Sequence, residues 1–269
     1  MTTRMPSLFI PHGGGPCFFM DGFGPPGAWD AMAAYLRGIA GTLPERPTAL
    51  LIVSGHWEAA RPTLTSNPKP ELIYDYHGFP PHTYALRYPA PGEPALAARS
   101  RRLLGEAGLD GDLDAGRGWD HGVFIPMKLS FPAADIPIVQ LSLLHSRDAR
   151  AHLALGAALE PLRDEGVLVI GSGMSYHNML GFFSGSATDA RASADFDAWL
   201  TEAVCAPDPQ RRSMALADWA AAPSARACHP EEEHLLPLMV AAGAGGDDSG
   251  CVDFHDRSLG VTLSAFRFG

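Results

Sequence analysis

The 269-residue chain has few cysteines. Cys17, Cys205, Cys228 and Cys251 are scattered, with no C-x-x-C pair. Such spacing supplies no disulfide framework and points to reduced, mostly buried thiols, the pattern of a cytosolic protein. Long apolar runs are missing too: nothing approaches the ~20 residues of a membrane span. Met1 to Phe9 carries one arginine and leads into a core strand rather than a signal-peptide apolar region. Positive charge is in deficit, with 20 Lys and Arg against 30 Asp and Glu and a net charge of -10. That argues against a general nucleic-acid binder, which carries a basic face. No internal repeat is visible, no glycine run ends in the Lys-Ser/Thr of a P-loop, and no H-E-x-x-H motif occurs. The expectation is a cytoplasmic protein with no nucleic-acid or membrane partner; a homo-oligomer is compatible with it.

What remains is a globular composition, 46% apolar and 19% charged, with ample material for a core. Strand-like and helical segments alternate. Leu8 to Ile10, Ala49 to Val53, Ile136 to Leu144 and Val167 to Ile170 read as buried strands, and Gly260 to Phe268 as a closing strand. Trp29 to Ile39, Pro94 to Ala107, Ala149 to Leu162 and Ala190 to Val204 read as helices, the last burying Phe196, Trp199 and Leu200. Glu231 to Ala242 reads as a final helix with Pro237 near its first turn or interrupting it. Leu64 to Ala90, rich in Pro, His and aromatics, reads as a long ordered loop of the kind that carries binding residues. The alternation predicts one α/β domain over residues 1–269, with a central sheet covered by helices on both faces. Gly243 to Gly250 is the best linker, too near the end to divide domains.

Four histidines stand where such elements end. His12 follows Phe9-Ile10-Pro11, His56 follows Ile52-Val53-Ser54-Gly55, and His177 follows the glycine-rich Gly171-Ser172-Gly173. His234 closes Glu231-Glu232-Glu233 ahead of an apolar run. Open α/β sheets place ligands at strand ends, and imidazole is the commonest metal ligand, so these positions predict one convergent metal site. On the expected final helix, Glu233 and His234 point roughly 100° apart, so only one of them ligates; His229 and Glu231 compete. Spacing alone leaves a three-histidine site and a two-histidine, one-carboxylate site both open. Either leaves coordination positions for a substrate. His177 reads as a fourth ligand or as the acid/base beside the metal. Asp120-His121 reads as a pair in which Asp orients His, or as a turn; His77, His82 and Tyr84 as pocket lining or loop packing. His145, His152 and His255 show no site context.

Taken in order, Ser54-Gly55-His56-Trp57, Tyr74-Asp75-Tyr76-His77-Gly78-Phe79-Pro80, Arg87-Tyr88-Pro89-Ala90-Pro91-Gly92, Trp119-Asp120-His121-Gly122, Ala134-Asp135-Ile136-Pro137-Ile138-Val139-Gln140-Leu141-Ser142, His177-Asn178 and Glu233-His234, with His12-Gly13 before them and Leu236-Pro237-Leu238 after, resemble a known family. It is that of the class III extradiol ring-cleavage dioxygenases of the LigB type, in the 4,5-DOPA dioxygenase branch. The resemblance runs from about Pro6 to Phe268. It implies a LigB-like single domain with a mostly parallel or mixed sheet, and an enzyme that opens a catechol-type, DOPA-like ring with O2. It implies His12, His56 and His234 as metal ligands, His177 as acid/base, and His121 as a catalytic pocket residue, with Asp120, Tyr84 and His77 beside the substrate. Fe(II) is the implied catalytic ion, and Zn(II) could occupy the purified protein because it outcompetes ferrous iron at most nitrogen sites. One departure stands out: members of the family carry His-Gly-Ser-Pro where this chain has His12-Gly13-Gly14-Gly15-Pro16, which bears on substrate preference.

Two rival readings use the same residues. A zinc hydrolase would use metal-bound hydroxide, but no general-base carboxylate motif is visible. A non-catalytic metal- or ligand-binding protein could share the scaffold, though it would have no use for the proton relay that His177 offers.

Overall fold

The computed structural model describes residues 3–269. In chain order its elements are β1 (Ser7–Pro11), α1 (Asp30–Thr42), β2 (Ala49–Ala59), β3 (Thr63–Thr65), α2 (Pro94–Glu106), β4 (Asp112–Asp114), α3 (His121–Ser130), β5 (Ile138–Leu144) and α4 (Ala149–Leu159). There follow β6 (Val167–Gly173), α5 (Met179–Ser184), α6 (Ala187–Val204), α7 (Pro209–Ala217), α8 (Ala225–Cys228), α9 (Leu236–Gly245), β7 (Gly250–Ser258) and β8 (Val261–Phe268). The strands form one sheet in the order β4-β3-β5-β2-β6-β1-β8-β7. Its centre, β5-β2-β6-β1, is parallel, and the pairings β3–β5, β1–β8 and β7–β8 are antiparallel. The fold is the expected α/β architecture with a mixed sheet.

Strand periodicity sorts the helices onto two faces. Ser7 Oγ donates to the carbonyl of Ala241 in α9 at 2.7 Å, and Gly171 and Gly173 of β6 abut backbone at Pro237 and His234. Between those glycines, Ser172 Oγ donates to the carbonyl of Gly122 in α3. Odd positions of β6 therefore meet α9 and even positions meet α3. Both helices are buried nearly all round, with Lys128 of α3 and Gly243 of α9 partly exposed. Among the described residues, no helix is long and apolar enough to cross a membrane.

Several boundaries differ from the expectation. The final helix starts at Leu236, not Glu231, because Pro237 has no N–H to donate and sits where helices tolerate it, in the first turn; His234 therefore lies on a turn. The stretch read as a linker is helical as far as Gly245 and then enters β7, an edge strand joined to β8 by the tight turn Leu259-Gly260, both residues at positive φ. The helix from Ala149 stops at Leu159, where a 3-10 turn with Pro161 takes over. α6 begins three residues earlier than read, at Ala187, where Ser186 accepts from the N–H of Thr188.

Candidate metal centre

The strands β1, β2 and β6 end side by side, and five imidazoles gather there. His12 directly follows β1, and its N–H donates to the Gly173 carbonyl at 3.2 Å; Gly13, at φ +79°, then turns the chain sharply. His56 lies within a register irregularity of β2 between Val53 and Glu58, the kind of bulge that re-aims side chains beside active sites. His121 opens α3 on one face of the sheet, while His234 precedes α9 on the other. Gly173 holds the second side in place: the Met174 N–H donates to the His234 carbonyl at 2.9 Å. A Cβ at 173 would fall 2.1 Å from that same oxygen. His177 lies just beyond β6, its N–H donating to the Cys228 carbonyl at 3.0 Å.

The ring centroid of His12 lies 4.9 Å from that of His56, 5.3 Å from His121 and 5.2 Å from His234. His56 is 3.9 Å from His121 and 4.7 Å from His234, and His177 stacks on His234 at 3.4 Å. Three rings have Nδ1 engaged by oxygen: His12 by the Gly13 carbonyl at 2.9 Å, His121 by Asp75 Oδ1 at 2.8 Å, and His234 by Glu233 Oε1 at 2.9 Å. Asp75 Oδ2 also stands 3.7 Å from His56 Nδ1, and Glu233 Oε1 3.6 Å from His177 Nδ1. An oxygen acceptor at Nδ1 fixes the tautomer and leaves the Nε2 lone pair free. The Nε2 of His12 is buried with no partner among the described residues, and those of His56 and His234 face each other at 3.2 Å.

Four of these rings, His12, His56, His177 and His234, are held neutral. Burial is the largest cause of the lowered pKa of His12, His56, His177 and His234, and mutual repulsion among the imidazoles adds to it. His56 and His177 are each brought down to about 4. Burial pulls Asp75 the other way, but its hydrogen bonds and charge contacts with His121, and its charge contact with His56, prevail and hold it below the usual carboxylate range. Glu233 is raised, by burial first, with Glu231 and Glu58 adding to it; Arg147 opposes the rise.

The orientation read for Asp120-His121 needs correction: the carboxylate gripping His121 is Asp75, which accepts from both its N–H (2.9 Å) and its Nδ1. Asp120 is fully buried instead, taking Ser54 Oγ at 2.7 Å, Gln140 Nε2 at 2.6 Å and Arg117 Nη2 at 3.1 Å. It supports His56 from below, since Ser54 Oγ in turn accepts the His56 N–H at 3.1 Å. Tyr84 stands one ring out from the cluster, 5.2 Å from Tyr76, which is itself 5.8 Å from His121. His77 is exposed. Of the competitors, His229 is buried elsewhere against Phe196 and Trp219, and Glu231 pairs with Arg147. His152 is an ordinary core histidine that accepts the Leu144 N–H. Sequence reasoning overlooked Asp75 and gave Glu233 only a rival ligand's part. Asp75 was within reach, as the one acid inside an aromatic run.

The donor set suits a divalent metal. A buried nitrogen lone pair without a partner is costly, and two Nε2 atoms 3.2 Å apart can share a cation in place of a proton. Two groups have ligand atoms within 4.8 Å of one another: His12, His56 and His121, and His177, Glu233 and His234. Imidazoles with carboxylates behind them match the borderline ions, iron and zinc included.

Comparison with known proteins adds an independent line. Residues 7–264 match the family model of the catalytic LigB subunit of aromatic ring-opening dioxygenase. The chain is 38% identical to the dioxygenase tasH of Hapsidospora irregularis, over all of this chain and 87% of that one. It is 39% identical to the 4,5-DOPA dioxygenase extradiol of Beta vulgaris (82% and 81% covered) and 33% to that of Escherichia coli K12 (90% and 86%). The crystal structure of the uncharacterized protein JW3007 from Escherichia coli K12 superposes with a TM-score of 0.78 at 28% identity, covering 99% of this chain and all of that one.

Proposed function

The chain belongs to the LigB family of aromatic ring-opening dioxygenases and is an extradiol dioxygenase, an oxidoreductase; from that premise we propose that it opens a catechol-type ring of the 3,4-dihydroxyphenyl kind, using O2 and Fe(II) held by His12, His56 and His234. In this reading residues 1–269 act as one catalytic domain of a cytoplasmic enzyme whose partners are small molecules. The observation that carries it is the facing of His56 Nε2 and His234 Nε2 at 3.2 Å beside the partnerless Nε2 of His12. His121, whose ligand atom lies within 4.8 Å of those of His12 and His56, is the competing third ligand.

What ferrous iron supplies when bound is Lewis acidity toward the catechol hydroxyls and electron exchange with O2. The chain supplies position and proton traffic. His177 is neutral at pH 7 because burial lowers its pKa, so its Nε2 can take a proton from a catechol hydroxyl and return it later. Such transfers contribute ~10²–10⁴-fold. Glu233, 3.6 Å from Nδ1 of the same ring, favours the imidazolium while the proton is held. His121, pinned twice by Asp75, directs its remaining nitrogen toward the substrate's place. Zinc could fill the same nitrogen site, but it has no redox chemistry and would leave the enzyme silent.

The test is anaerobic reconstitution with ferrous iron, then addition of catechol or DOPA and air. A yellow ring-opened product is expected; iron bound at stoichiometry with no product from any catechol overturns the reading.

A further inference from the structure

The departure at His12-Gly13-Gly14-Gly15-Pro16 has a structural counterpart. Gly14 lies under the ring of Phe23, and a Cβ there would come within 2.8 Å of Phe23 Cε1. The absence of a side chain lets Phe23 settle onto the turn that follows His12. There it stacks on Trp29 (centroids 5.7 Å apart, planes 4° apart) and meets Phe183 of α5 edge-on at 6.1 Å. Trp29 Nε1 donates to the Phe23 carbonyl at 2.7 Å, fixing the pair.

Together with Met174, Phe182 and Leu259, these rings line a narrow cavity that opens on His177 and on the Gly13-Gly14 backbone. No Asp, Glu, Lys or Arg contributes to its wall. The outer rim is apolar as well: Met179, Leu180 and Phe183 of α5 are 54%, 86% and 58% exposed. Arg147, which faces Glu233, is already committed to Glu58, Glu231 and Glu233. A zwitterionic amino-acid tail placed in this cavity would have its charges desolvated without partners, which is strongly unfavourable.

We propose that this cavity is the substituent subsite of the enzyme, and that its substrate is a catechol bearing an uncharged apolar group rather than an amino-acid side chain. The inference rests on the dioxygenase reading for the catechol itself; the apolar preference rests on the cavity alone. Phe23, placed by Gly14, and Phe183 are the specificity-determining residues.

Binding tests it without requiring turnover. Titration calorimetry under anaerobic conditions on the ferrous-loaded protein compares 4-propylcatechol with DOPA. An apolar pocket discriminates by about tenfold or more per matched group, so 4-propylcatechol is expected to bind at least about tenfold more tightly. Phe23→Ala should shrink that ratio several-fold. Phe183→Ala, at an exposed position where folding is not at risk, should do the same. The proposal is overturned if DOPA binds as tightly as the alkylcatechol, or if neither variant changes the ratio. An alkyl preference without any ring opening in air would support the subsite while overturning the dioxygenase reading.

Discussion

His56 Nε2 and His234 Nε2 face each other at 3.2 Å across 178 positions of sequence. One comes from the bulged strand β2 and the other from the turn before α9, so no local feature of the chain explains the approach. With Glu233 occupying Nδ1 of His234, its Nε2 is left as an acceptor, and a shared cation would make the arrangement favourable.

The first prediction concerns the ligand set. His12→Ala, His56→Ala and His234→Ala should each weaken iron binding by more than the ~10–100-fold typical of losing a supporting residue. His121→Ala should retain near-stoichiometric iron by elemental analysis. The reverse pattern, metal lost in His121→Ala and kept in His234→Ala, would transfer the third ligand to His121.

His177→Phe should keep both iron and fold while turnover falls by ~10²–10⁴-fold. Metal content and ring-opening rate measured on one preparation separate the two roles; full turnover in this variant would remove His177 from proton transfer.

Asp75→Asn keeps the size of the side chain but removes the charge that grips His121 from two directions. Turnover should drop by ~10–100-fold, the usual effect of losing a carboxylate behind a site histidine, with little change in melting temperature. A larger loss of stability than of rate would make Asp75 a fold residue instead.

Gly173→Ala places a methyl group onto the His234 carbonyl, 2.1 Å from its expected position. Backbone cannot yield as a side chain does, so destabilisation of ~1–3 kcal/mol is expected from overpacking, together with weakened iron binding. Thermal unfolding with and without iron reads both; an unchanged melting temperature would count against the close approach.

Acid should destabilise the metal-free protein. His56 and His177 titrate at about 4 and His229 at about 3 in the folded state, against 6.5 when unfolded, with burial the leading cause in each. Between those values the unfolded chain binds more protons, so stability is complete above pH 6.5 and lost as pH falls toward 4. Each such histidine contributes a slope of about 1.4 kcal/mol per pH unit. Denaturant melts of the metal-free protein at pH 5 and pH 7 check the sign; equal midpoints would contradict it.

Much of this was legible in the residues. The four central strands are built on buried apolar segments, and the histidines at the ends of three of them mark a site. What escaped notice did so for physical reasons. α3 is buried on every side and interrupted by Pro126, so it shows neither an amphipathic stripe nor an uninterrupted helical pattern. β3 and β4 are three residues each, below the length at which alternation can be seen. Asp75 reaches His121 across 46 positions, a pairing that only tertiary structure creates. The expectation that His234 sits on a helix failed because Pro237 anchors the helix start, and with it went the argument that Glu233 and His234 must diverge: in the turn their side chains hydrogen-bond to each other.

The six-residue α5, with three large side chains open to water, sits immediately after His177, whereas His12 and His56 are built into sheet strands or their ends. Short, poorly buried segments open well before a sheet core does. Mild heating of the iron-loaded protein should therefore leave its iron bound yet stop turnover, because His177 drifts away while His12 and His56 stay in place. Inactivation would then be reversible on cooling, and would precede iron release rather than follow it.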